Sequence, residues 1–172
     1  CSADDNRFEG FQDNVSDVFG PKTQLIRIAD ARSLAEGYNR GAQYAESETL
    51  IFCHDDIRFL SPQSKEIIQQ DLTTYDIVGV AGTTKLVEGQ WHAAGKPYTH
   101  GQVIHSAYPS GKQNYQLCVY AMDMETAVVQ QIQALDGLFI ALKRNVMDYV
   151  QFDEDLFDGF HLYDLDFTYA AY

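Results

Sequence analysis

The chain has 172 residues, of which 45% are hydrophobic and 13% aromatic, enough to fill one core and too apolar for a disordered segment. Its 25 acids against 12 Lys and Arg give a formal charge of −13, which excludes a nucleic-acid or anionic-membrane surface, since both need clustered cations. No apolar run reaches the roughly 18–20 residues of a membrane span, so no transmembrane segment is expected. Three cysteines (Cys1, Cys53 and Cys118) leave an odd thiol, and reduced thiols in the cytoplasm are the simplest account. The reading is one domain over residues 1–172 whose ends, CSADDN and FTYAAY, both look cut.

In chain order, apolar spacing at Phe11, Val15, Val18 and Phe19 predicts a short amphipathic helix stopped by Gly20–Pro21. QLIRIA (24–29) is a β-rich run ending at Asp30. Ser33 with Glu36 three positions on forms a capping box and opens a helix to about Ala45. LIFC (50–53) is too short for a helix, and its unbroken apolar character suits a strand covered on both faces. Ser61–Pro62 opens another helix through Ile67, Ile68 and Leu72. DIVGVAG (76–82) is a further buried strand. This β-α-β-α-β order predicts an α/β fold with a mainly parallel sheet and helices on both faces. From Lys85 to Gly111 the chain turns glycine-rich, with two prolines, Trp91, His92, His100 and His105, and reads as a hairpin-rich or looping insert. YQLCVYAM (115–122), VVQQIQALDG (128–137) and LFIALKR (138–144) predict strands, and a last helix starts near Tyr163.

In an open parallel sheet, ligands bind outside the carboxyl ends of the strands. His54, Asp55 and Asp56 follow LIFC directly, so the two acids must reach water, a cation or a metal. Hard oxygen donors there suit Mg²⁺ or Mn²⁺, which take one or two carboxylates and complete their shell with substrate phosphates. A solvated turn with a capping acid explains HDD about equally well. His161, Asp164 and Asp166, amid the aromatics of FDGFHLYDLDF, form a denser group than helix capping needs, and one acid on an apolar rim is a candidate general base. Asp136–Gly137 reads as a turn, and Trp91 reads equally as a core anchor or a flat platform for a sugar.

Taken together, SLAEGYNRGAQYAESETLIFCHDDI, ALDGLFIALKR and FDGFHLYDLDFTYAA resemble family 2-like glycosyltransferases of the GT-A fold, over about residues 24–172. The resemblance is to a bacterial branch with His-x-Asp in place of Asp-x-Asp. It implies a Rossmann-like nucleotide-diphospho-sugar transferase fold, whose first strand would lie at or before Cys1–Ser2. Carried onto this chain, it implies nucleotide contacts from Ser2, Asp30, Ser33, Asn39 and Asp55, with Gly41 on the same helix as Asn39. It implies metal contacts from His54, Asp56 and His161, and an acceptor side at Trp91, Asp136 and Gly137. Asp164 takes the position of the base, with Tyr163 where an acidic neighbour is usual, and Asp166 is left to cap or hold the helix.

The expected function is then hexosyltransferase-like. A sugar moves from a nucleotide-sugar donor, UDP-sugar favoured, to a carbohydrate or other hydroxyl, with Mn²⁺ or Mg²⁺ and with inversion. Two rivals carry other expectations: a non-catalytic nucleotide- or carbohydrate-binding module of the same fold, and an HD-type phosphohydrolase using His54–Asp55 on a metal, a helical class that sets the dyad on a helix where here it follows LIFC.

Overall fold

A computed structural model describes residues 1–2, 4–106, 115–120 and 128–172. In order, the chain forms α1 (Asp5–Phe19), α2 (Leu34–Tyr44), β1 (Thr49–Cys53), α3 (Ser64–Thr74), β2 (Ile77–Gly79), β3 (Ala81–Thr83), β4 (Thr99–Ser106), β5 (Tyr115–Val119), β6 (Ala134–Leu135), β7 (Phe139–Lys143), a 3₁₀ turn (Arg144–Asp148) and α4 (Tyr163–Ala171).

Local chemistry sets the helix starts. α1 begins earlier than its apolar spacing indicates, because the Asp4 carboxylate accepts from the Arg7 amide at 3.0 Å and caps the first turn. At α2 the Ser33 hydroxyl accepts from the Glu36 amide at 3.1 Å, while the Glu36 carboxylate reaches back to the Arg32 amide at 3.0 Å. Ser61–Pro62 forms a turn instead of a first helical turn, with the Ser64 amide donating to the Ser61 carbonyl at 3.2 Å, so α3 starts two residues past the proline.

The mainly parallel sheet is not found: among the described residues every strand pair is antiparallel. β1 and β2 do run the same way, joined by α3, but β7 lies between them and pairs antiparallel with both, in the order β1-β7-β2. Strand direction depends on which segment fills the gap, and the filling strand here arrives 60 residues later in the chain. QLIRIA is also not a strand; its Ile28 carbonyl accepts one bond from the Ser2 amide at 3.2 Å without a ladder.

Helices do cover both faces of this sheet. Along β7, Ile140 and Leu142 point into a core shared with Leu34, Ala35 and Tyr38 of α2, Leu50 and Phe52 of β1, and Tyr163 and Phe167 of α4. Phe139 and Ala141 point the other way, onto Phe11, Val15 and Phe19 of α1 and Ile68 and Leu72 of α3. Ile140, Ala141 and Leu142 have no exposed surface, which is why this run carries no polar alternation.

The second sheet has the order β5-β4-β3-β6. DIVGVAG divides at Val80 into β2 of the first sheet and β3 of the second, and β6–Asp136–Gly137–Leu138–β7 is the return joint between the same two sheets. Only Ala134–Leu135 of the predicted 128–137 run is strand among the described residues. Residues 107–111 of the insert, the next three, 112–114, and 121–122 of the following run lie outside those described.

Candidate active site

β1 carries the chain directly to His54, whose amide donates to the Leu138 carbonyl at 3.3 Å and extends the β1–β7 ladder by one step. That bond sets HDD against the Asp136–Gly137 joint. The joint is held by its own acid: Asp136 Oδ1 accepts from the Leu138 amide at 2.8 Å and Oδ2 from Trp91 Nε1 at 2.5 Å. Trp91 is buried, with Tyr120 edge-on at 4.6 Å, so it anchors the joint through its indole N–H.

The third part of the site comes from the start of α4. Its cap, Leu162, has φ of 68° and makes no side-chain capping bond. Asp164 Oδ2 accepts from the Gly137 amide at 2.6 Å, tying α4 to the joint. A side chain at position 137 would collide with the Tyr163 hydroxyl, which is a concrete reason for glycine there. Tyr163 in turn meets His54, with its hydroxyl 3.4 Å from Nε2. HDD, DG and HLYDLD thus converge on one spot, His54–Tyr163–Gly137–Asp164–Asp136.

The acids there differ in kind. Asp164 is partly buried, and burial raises its pKa against the amide bonds from Gly137 and Leu165 that lower it; the nearby Asp136 charge adds to the rise. Asp166, two residues on, is also raised by burial, and its charged neighbour is Asp153. The two acids therefore face different surroundings. Asp55 is mostly covered and pairs with Arg7 of α1 at 3.6 Å. Asp56 is open, and its Oδ1 lies 3.9 Å from His54 Nδ1.

Other predicted residues stand elsewhere. Asp30 is exposed and paired with Arg40 at 2.7 Å. Ser33 is the α2 cap, and Asn39 gives both ends of its amide to Phe152, donating to its carbonyl at 2.8 Å and accepting from its amide at 3.1 Å. Ser2 is buried, and with Arg27, Gly37, Tyr38, Cys53 and Asp55 it lines a 560 Å³ cavity behind HDD. His161 is exposed on the loop before α4. A larger cavity of 770 Å³, between Gly79, Gly82, His100 and Thr168, touches none of the predicted site residues.

Among the described residues no three His, Cys, Asp or Glu side chains gather to hold an ion, so His161 does not join His54 and Asp56. The His54–Asp56 pair still fits a hard divalent ion of the kind that uses one or two protein ligands and takes the rest from waters and substrate oxygens. Tyr38, whose hydroxyl donates to the Cys53 carbonyl at 3.1 Å, belongs to the site without having been marked by sequence. On α2 it reads as one more apolar residue of the core face.

A mixed α/β fold with acids and a histidine gathered at strand ends, backed by aromatics, defines an enzyme-like constellation. The family model of the glycosyltransferase-like family matches residues 2–171, and the chain belongs to that family. Comparison with curated proteins gives no match. Glycosyl transfer, from a sugar donor to an acceptor, is the activity that this membership supports.

Proposed function

We propose that the protein transfers a hexose from a nucleoside-diphosphate donor, a UDP-sugar in the first instance, to a hydroxyl of a carbohydrate acceptor, inverting the anomeric centre. The observation that supports this most is the setting of Asp164: a carboxylate raised by burial, fixed to the Gly137 amide and beside the joint that carries Asp136. Such a group is more basic than an ordinary carboxylate and held in one direction. In the proposed step Asp164 takes the proton of the acceptor hydroxyl as its oxygen bonds to the anomeric carbon. The bond from that carbon to the diphosphate oxygen breaks, and the nucleoside diphosphate leaves with the electron pair.

His54 and Asp56 would hold Mn²⁺ or Mg²⁺, which when bound offsets the charge of the departing diphosphate. Asp55, paired with Arg7, shapes the floor of that side, and the cavity lined by Ser2 and Arg27 extends behind it. Asp136, Gly137 and Trp91 border the acceptor side. The three cysteines, none of them in a disulfide, fit a cytoplasmic setting.

The test is Asp164→Asn. Turnover with a UDP-sugar should fall by about 10²–10⁴, the range for loss of a general base, with donor binding kept. Unchanged turnover would remove Asp164 from the chemistry. Absence of turnover in the parent with every nucleotide sugar tried would favour a binding module. His54–Asp55 follows β1, as its sequence indicates, which weighs against the HD-type phosphohydrolase reading.

A further inference from the structure

We propose that the 770 Å³ cavity between the two sheets is a second binding site, for an uncharged carbohydrate of a few sugar units, apart from the centre that holds Asp164. The site goes beyond the transfer reaction and stands whether or not Asp164 is its base.

The opening has a cause in the topology. DIVGVAG leaves the first sheet after Gly79 and enters the second at Ala81, so the sheets part at Val80 and leave its side chain exposed. The gap is walled by β3 and β4, by residues 128–132, by the 3₁₀ turn and by the last turns of α4. Its volume falls within the roughly 300–1,000 Å³ of ordinary small-molecule sites. Thr168 closes it off from the catalytic joint. The Thr168 hydroxyl accepts from the Leu135 amide at 3.0 Å and donates to the Asp164 carbonyl at 2.7 Å, so it is spent within the wall.

The lining sets the chemistry of the ligand. Among the described residues no Lys or Arg borders the cavity, so in a chain of −13 a phosphate or carboxylate would meet no counter-charge there. Of the two acids on the wall, Asp76 is paired with Lys143 at 2.8 Å, which leaves Asp71 to accept from hydroxyls. The amides of Gln130, Gln131 and Asn145 and the hydroxyls of Tyr75 and Tyr149 both give and accept hydrogen bonds, as sugar hydroxyls do. The two tyrosine rings add flat apolar faces with a polar tip, which suit the C–H face of a sugar ring. Two further observations point to a ligand. On this wall His100 has its Nε2 buried and without a hydrogen-bond partner among the described residues, so a hydroxyl that enters can pair with it. Gln131 has φ of 60°, the left-handed region that a side chain disfavours, and strain of this kind gathers at binding sites.

Calorimetric titration with maltotriose, cellotriose and chitotriose reads this site without donor or turnover. At least one of these neutral sugars should bind with a Kd near about 1 mM or tighter, and UDP with Mn²⁺ should not displace it. Trigalacturonate, of the same length but with a carboxylate on each ring, should not bind. Tyr149 is 85% exposed, so Tyr149→Ala opens no core; it should weaken binding about fivefold or more with the melting temperature kept. Gln131→Gly, which suits the positive φ, should also weaken binding without lowering the melting temperature. Failure of all three neutral sugars to bind in the parent would overturn the proposal, and that measurement needs no variant. So would displacement by UDP, binding of trigalacturonate as tight as that of the neutral sugars, or affinity unmoved in both variants. Sugar binding that the two variants weaken, in a protein that transfers no sugar, would uphold this site while removing the role given to Asp164.

Discussion

Asp164 and Asp166 are the same residue type in the same helical turn, and their neighbours separate them. Asp164 faces Gly137 and Asp136, while Asp166 faces Asp153. A carboxylate whose native pKa is raised binds its proton more tightly when folded. Its contribution to stability is therefore fully present below the ordinary carboxylate range and is lost as pH rises through the raised value. At pH 7 the charged Asp164 is a cost to the fold. Asp164→Asn should melt at or above the temperature of the parent at pH 7, with the difference closing near about pH 4. A variant markedly less stable at pH 7 would mean that the Gly137 tie outweighs the burial. Gly137→Ala tests the same contact from the other side. Its Cβ would stand 2.9 Å from Tyr163 Cζ and 3.0 Å from Asp164 Cβ, and neither can withdraw without moving the start of α4. Thermal denaturation should show a loss of about 1–3 kcal/mol, the usual cost of overpacking.

At the scale of elements, α2 is latched to the other end of the chain by one side chain. Asn39 satisfies both backbone groups of Phe152, a residue 2% exposed and stacked on Phe167 of α4. Asn39→Ala leaves an amide and a carbonyl unpaired and should cost about 1–3 kcal/mol in chemical denaturation. Donor affinity, measured well below the melting temperature, should stay within about twofold; a large loss of affinity without loss of stability would return Asn39 to the nucleotide side. The elements were legible where the signal is local. The capping box at Ser33, the apolar runs of β1 and β7 and the start of α4 near Tyr163 all stand where their sequences put them. What was illegible depends on partners far away in the chain. Nothing in FIALK tells that it enters between β1 and β2 in the reverse direction, and nothing in QLIRIA tells that it stays without a ladder. The site shows the same division. HDD, DG and HLYDLD each marked themselves by polar residues after apolar runs, whereas Tyr38 and Arg7 acquire their roles only when α2 and α1 are packed.

Across the whole molecule the controlling fact is charge. A chain of −13 that sets Asp55 and Asp56 directly after β1, with Asp136 and Asp164 at the neighbouring joint, repels a diphosphate. Arg7 is the one cation paired with HDD among the described residues, and it is bound to Asp55 at 3.6 Å. Two unit charges about 4 Å apart interact by roughly 4 kcal/mol at the effective dielectric of a protein surface, so an unscreened diphosphate beside these acids is strongly disfavoured. A divalent ion held by His54 and Asp56, as proposed, would reverse the sign of that interaction. UDP should therefore bind at least about tenfold more tightly with Mn²⁺ than with chelator in calorimetric titration, about 1.4 kcal/mol or more. Uridine, which has no phosphate, should bind alike in both. Asp56→Ala should erase the Mn²⁺ effect on UDP without lowering the melting temperature, because its side chain is 60% exposed and its removal opens no cavity. If UDP binds as well in chelator as in Mn²⁺, the acids of HDD do not meet the diphosphate through a cation, and the donor must lie with its phosphates away from Asp56.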